Sequence, residues 1–282
     1  MNEPRPFPSP LPAALLAVMG LCLTTAVGAT VSDWTSPIAA YGFGATIGIG
    51  VTGALGAASI PPPHGARVGL RGFAWRHLLP ILLLVPIAFL AKEVGNVMQA
   101  LLPAPDAAQV AQSTVEQLPT DTELSLLETS VVVVGLVPLL EEWFFRGVLQ
   151  QGLVGTLGPR LGVLVTALLF AFVHGIGTSP QAYAASFAEI LVIGLALGLL
   201  RHATGSILAS TLLHAAINGL GVVSLALPSV LVIPGYDAPS AHAPLALLVP
   251  SLLAVGIALW LLARERPVPI PSVPLASGRV DD

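Results

Sequence analysis

Charge is what this sequence most lacks. Only 9% of its 282 residues are Asp, Glu, Lys or Arg, against roughly 25% in a soluble globular domain. So few charges cannot cover a water-facing surface, which excludes a soluble domain acting alone. Lysine occurs once, as Lys92, and the net charge is −4, so no basic surface for a nucleic-acid partner is present. Cysteine also occurs once, as Cys22, which excludes an intramolecular disulfide. What fills the chain instead is apolar: 55% hydrophobic residues and a mean hydropathy of +0.87. Hydrocarbon is a suitable solvent for such a chain.

The apolar runs are long and continuous rather than alternating, so the fold class expected is all-α, a polytopic transmembrane bundle of about eight helices. A span needs roughly 20 apolar residues, and backbone polar groups in lipid are satisfied only in helices or closed barrels. The runs predict spans near 11–31, 36–60, 79–102, 125–150, 160–176, 184–200, 205–228 and 243–263. With eight spans, Arg5, Arg67, Arg71, Arg76, Arg160, Arg201, Arg264, Arg266 and Arg279 all fall on one side. Asp33, Asp106, Glu116, Asp121, Glu123 and Asp237 fall on the other. The positive-inside bias then puts both termini in the cytoplasm of an integral protein of the cell membrane. Arg5, the first apolar run and Val27-Gly28-Ala29 also have the outline of a cleaved signal peptide. The run is longer than a usual signal core and its leader is Pro-rich, which favours a retained span. The loop 103–124 reads as an exposed connection and the Pro-rich stretch 267–274 as an unstructured extension. No internal repeat is evident.

Ionisable groups inside spans are costly, roughly 2.5–3.5 kcal/mol each on insertion scales, and so are functional candidates. Span four carries Glu141, Glu142 and Arg146, span five His174, and span seven His214 and Asn218. Residues four apart share a helix face. Glu142 and Arg146 therefore read as a structural ion pair, while Glu141 is turned about 100° away and left free to face a cavity. His214 and Asn218 present side by side, and Phe170 packs on His174. At the helical rise of roughly 1.5 Å per residue, Glu141 and His214 lie about 14 Å deep and His174 about 20 Å. Lys92, Glu93 and Glu189 are read as structural, with Lys92 placed to pair with Glu189. Glu128 is expected at the interface, and His64, His77, His202 and His242 at the surface.

Hydrolysis of a peptide bond needs a general base for water and a donor for the developing oxyanion. Glu141 with His174 suits the first task. His214 with Asn218 suits the second, since an Asn amide donates without titrating. Glu141, His174 and His214 also form a His-His-Glu set suited to zinc, with water in the fourth position. The residues alone do not choose between a metal-bound and a metal-free water. The His-Glu-x-x-His helix of zincins, the Gly-x-Ser-Gly of rhomboids and the Gly-x-Gly-Asp of presenilins are all missing, and Ser206 has no such context.

Three stretches resemble the CPBP family of CAAX proteases and bacteriocin-processing enzymes. They are Glu141-Glu142-Trp143-Phe144-Phe145-Arg146, Phe170 to His174, and His214 to Asn218. They look like its Glu-Glu-x-x-x-Arg, Phe-x-x-x-His and His-x-x-x-Asn motifs, in order and on successive spans. Gly198 to Arg201 and Thr204-Gly205-Ser206 are similar to the family's run into its third motif. The resemblance covers roughly 125–220 and divides the chain into N-terminal helices (1–124), a catalytic core (125–220) and a C-terminal helix with its tail (221–282). It implies an intramembrane endopeptidase acting on a peptide or protein in or at the bilayer. Glu141 and His174 would be the water-activating pair, His214 and Asn218 the oxyanion side, and Glu142, Arg146 and Phe170 their support. The family is described both as metalloprotease and as a metal-free glutamate enzyme, so the cofactor stays open. A non-catalytic immunity or partner-binding scaffold is the alternative.

Overall fold

The computed structural model describes residues 6–102, 119–174, 179–227, 233–236 and 242–265. The stretch 267–274 and most of the 103–124 connection lie outside the described residues. Among those described there is helix and no strand. Eight helices order the bundle: α1 (Pro10–Val31), α2 (Pro37–Ala58), α3 (Trp75–Leu101), α4 (Glu123–Leu157), α5 (Pro159–Val173), α6 (Pro180–Thr204), α7 (Ile207–Ala226) and α8 (Leu245–Ala263). Seven of them are long and apolar enough to cross a membrane. The exception is α5, with 15 residues, which stops at Val173. A span of 160–176 was expected there, so His174 lies just past the helix end rather than within it.

Local sequence explains the boundaries. Pro follows the N-cap of α1, α2, α5 and α6, where its missing N–H costs nothing. Ser36 and Ser179 cap α2 and α6 by accepting from the N–H groups of Ala39 and Ala182. Thr122 and Ser125 form a reciprocal cap on α4. Gly205, in the left-handed region at φ 66°, ends α6. Helix α3 breaks between Leu84 and Ile87, where Pro86 has no N–H to continue the ladder. Within α4, the stretches Ser130–Leu136 and Glu142–Leu149 widen to π-helical geometry, a local change frequent at functional sites.

Large apolar side chains such as Leu11, Phe43, Ile47, Leu252 and Ile257 point outward, while small ones line the helix contacts. In α2, a Cβ on Gly44 or Gly48 would collide with the backbone of Thr24 on α1. This close approach is the kind that small residues permit between membrane helices. Two cores result. One joins α1, α2, α4 and α5 through residues such as Ala45, Phe144, Leu149 and Phe170. The other joins α3, α6, α7 and α8 through Leu84, Leu197, Leu213 and Ala258. Ile190 of α6 packs against both. Phe170 belongs to the first core, and His214 sits in sequence between Leu213 and Ile217 of the second, so the candidate site lies at their seam.

Candidate active site

Where α5 ends, its last carbonyl groups have no helical N–H to accept from. His174 leaves the helix with extended backbone and turns its ring back, so that Nδ1–H donates to the Phe170 carbonyl at 2.6 Å. The four-residue spacing of Phe170 and His174 is thus the spacing of a side-chain cap on the last turn. Phe170 also stacks on that ring, with centroids 4.4 Å apart. Its Nδ1 committed, the imidazole presents Nε2 to Glu141 Oε1 at 3.7 Å.

His214 on α7 is fixed in the same way by a different partner. Its Nδ1–H donates to Glu142 Oε1 at 3.0 Å, and its Nε2 faces Glu141 Oε2 at 3.8 Å. Two imidazoles therefore flank one carboxylate, each anchored through Nδ1. Glu141, Glu142 and His214 are buried, while the His174 side chain keeps 28% of its surface exposed and opens the cluster outward. The gaps at Glu141 are too long for direct hydrogen bonds. With both rings neutral, the facing atoms all carry lone pairs. A water molecule donating hydrogen bonds, or one shared proton, resolves that opposition.

Glu142 and Arg146 do pair, at 2.7 Å with both side chains wholly buried. The pair is more than the isolated structural bridge expected from spacing, because Glu142 Oε1 is shared with His214. Arg146 is itself held by the Gly194 carbonyl (3.3 Å) and lies 4.2 Å over the Phe170 ring, a favourable cation–π position. Phe170 thus touches His174, Arg146 and, edge-on at 5.9 Å, His214. Asn218 has a partner on a neighbouring helix. Its amide donates to the Val133 carbonyl at 2.9 Å, in the first π stretch of α4, which leaves one N–H for other use.

The donor atoms around Glu141 lie 3.7 and 3.8 Å apart, slightly wider than the spacing of about 3.4 Å at which tetrahedral zinc with bonds of 2.0–2.1 Å holds its ligands. Among the described residues, no group of three or more His, Cys, Asp and Glu side chains has the arrangement of a metal site.

The polar residues set aside as structural make their contacts away from this cluster. Lys92 pairs loosely with Glu189 at 4.0 Å. Glu93 accepts from Asn96, from His242 and from the Ala243 N–H, pinning the chain just before α8. Glu128 accepts from Ser36. His77, expected at the surface, is buried and lies 3.6 Å from Glu265. The Glu142–His214 contact was not foreseen; the signal for it is that both residues sit at four-residue spacings from partners on their own helices.

No curated protein and no solved structure gives a significant match to the chain. Residues 123–220, about a third of the chain, match the family model described as Type II CAAX prenyl endopeptidase Rce1-like. That stretch runs from the start of α4 into α7 and carries every side chain of the candidate site, so the similarity to Rce1-like endopeptidases, consistent with the CPBP family, falls on the part of the chain that holds the site.

Proposed function

We propose that the protein is an intramembrane endopeptidase that hydrolyses a peptide bond of a membrane-associated or membrane-delivered polypeptide, with Glu141 as general base. The observation that carries this is the convergence of two anchored imidazoles on one buried carboxylate. A water between Glu141 and His174 donates one hydrogen bond to each and is polarised for attack on a carbonyl carbon. As the oxygen–carbon bond forms, the water's proton passes to the Glu141 carboxylate and the carbonyl oxygen takes up negative charge. Donors for that oxyanion are the remaining Asn218 N–H and His214 in its protonated form, whose Nδ1–H rests on Glu142. Collapse of the intermediate breaks the carbon–nitrogen bond, and the proton on Glu141 goes to the leaving amine.

Charge supports the scheme. With neutral imidazoles, Glu141, Glu142 and Arg146 sum to −1. One further proton, carried by His214 in this scheme, makes the buried cluster neutral while Glu141 stays ionised to take the proton of water. The reading keeps both termini in the cytoplasm, following the arginine distribution and counting the 15-residue α5 as a crossing.

The test is cleavage of lipid-anchored and unanchored peptides by the purified chain and by Glu141→Gln, which keeps the shape but cannot take a proton. A loss of about 10²–10⁴-fold is expected from removing a general base. Equal cleavage by both proteins would sink the proposal and return the scaffold reading. Inhibition by a zinc chelator, reversed by added zinc, would overturn the metal-free part alone.

A further inference from the structure

At the end of the bundle where α4 and α6 stop, a cavity of about 60 Å³ is lined by Arg67, Arg71, Arg146, Gln150, Arg201 and His202, among others. None of its described lining residues is Asp or Glu. Arg146 is balanced by Glu142. Arg71 and Arg201 are held by carbonyl groups: Arg71 Nε donates to Gly205 O at 2.9 Å, and Arg201 Nη2 to the carbonyls of Arg67 and Val68 at 3.1 Å. Carbonyl dipoles hold these guanidinium groups in place without cancelling their charge.

The cavity is also built rather than fortuitous. The loop carrying Arg67 and Arg71 is stitched to the α6–α7 turn: Ile207 N–H donates to Gly69 O at 3.1 Å, and the Ser206 hydroxyl donates to Arg71 O. Gly69 has φ 81°, and a Cβ there would run into the Arg201 guanidinium. Among the side chains that line it, three buried polar atoms have no hydrogen-bond partner: Arg201 Nε, Arg146 Nε and the Gln150 side-chain carbonyl. Capping a loop needs one guanidinium group. It does not gather several like charges, nor leave two Nε–H donors bare, since an unpartnered buried donor is destabilising.

We propose that this cavity binds the phosphate group of an anionic phospholipid headgroup. Guanidinium groups match phosphate oxygens in paired hydrogen bonds. The unpartnered Gln150 carbonyl is an acceptor and suits a headgroup hydroxyl. A choline or ethanolamine headgroup would bring a cation among the arginines, so it is disfavoured. The position at the helix ends is the depth of headgroups, where basic pockets between spans recognise anionic lipids.

The experiment uses the purified full chain in neutral detergent. Its melting temperature is measured with phosphatidylglycerol, with phosphatidylcholine and with inorganic phosphate at matched ionic strength, and bound lipid is counted by native mass spectrometry. Near-saturating phosphatidylglycerol should raise the melting temperature by about 5 °C and appear as one retained adduct, and phosphatidylcholine should do neither. Ala66→Glu places a carboxylate at the exposed rim without removing a hydrogen bond, and it should abolish both responses, as should Arg71→Gln. If Arg71→Gln fails to fold, Ala66→Glu decides. A shift with inorganic phosphate and none with phosphatidylglycerol would overturn the lipid occupant while keeping the anion site. Equal responses to the two lipids, or a response that persists in Ala66→Glu, would overturn the site itself.

Discussion

Among the described residues, two pairs of a carboxylate with a lysine or arginine lie within the spans, and they are built differently. Glu142–Arg146 is wholly buried, closes at 2.7 Å, and draws in His214, the Gly194 carbonyl and the Phe170 ring. Lys92–Glu189 reaches only 4.0 Å, leaves both side chains partly exposed, and has no such surroundings. A charge inside a membrane helix is therefore a weak marker of a site. What separates the two regions is convergence from several helices onto groups already fixed by other bonds.

The sharpest way to break that comparison is activity. His174→Ala and His214→Ala should each lower cleavage by about 10²-fold or more, whereas Lys92→Met should leave it within a few-fold. A comparable loss from Lys92→Met would put the second pair into the chemistry. Stability comes next. Arg146→Ala leaves Glu142 buried without its cation, which should cost about 3–5 kcal/mol. Thermal unfolding in detergent reads this directly, and unchanged melting with lost activity would make Arg146 part of the reaction rather than its support. Replacing Lys92 and Glu189 together by Met and Leu should be neutral or mildly stabilising, within about 1 kcal/mol, because no buried charge is stranded. Reporter fusions at Asp121 and after Asp282 should report opposite sides of the membrane; the same side would refute the proposed topology.

The smallest effect concerns the pair Arg76–Glu265, at 3.1 Å with Arg76 largely exposed and Glu265 partly so. Arg76, chiefly through its hydrogen bond, holds the Glu265 carboxyl below its ordinary range. A lowered carboxylate contributes stability above its unfolded pKa and loses it as pH falls through the folded value. Glu265→Gln should therefore melt slightly below the parent chain near neutral pH. The difference should begin to shrink near pH 4, where the unfolded carboxylate protonates, and vanish once pH falls below the lower folded value. A gap that widens on acidification would contradict the pairing.

Much of this was legible in the residues because it is local. Apolar runs set the helices, and spacings of four placed Glu142 by Arg146 and Phe170 by His174. The rest depends on how helices rotate and how deep they sit, which spacing within one helix does not encode. The contact of His214 with Glu142 and the use of the Asn218 amide on Val133 both arise between α4 and α7. The end of α5 at Val173 was hidden because hydropathy continues through Phe172 and Val173 up to the histidine that terminates the helix. The burial of His77 depends on Glu265, far off in the chain, coming back beside it.

Placing Glu142 and its cation on one helix also bears on biosynthesis. Arg146 follows four residues behind, so α4 carries its own neutralisation as it enters the bilayer, before α5 and α7 have been made. A carboxylate relying on His214 alone would wait some seventy residues of synthesis for its partner. The inserted helix thus bears one uncompensated carboxylate, that of Glu141, instead of two, at a difference of roughly 2.5–3.5 kcal/mol in insertion free energy. His214 then arrives at a carboxylate already held in position, and the order of translation becomes the order in which the cluster is assembled.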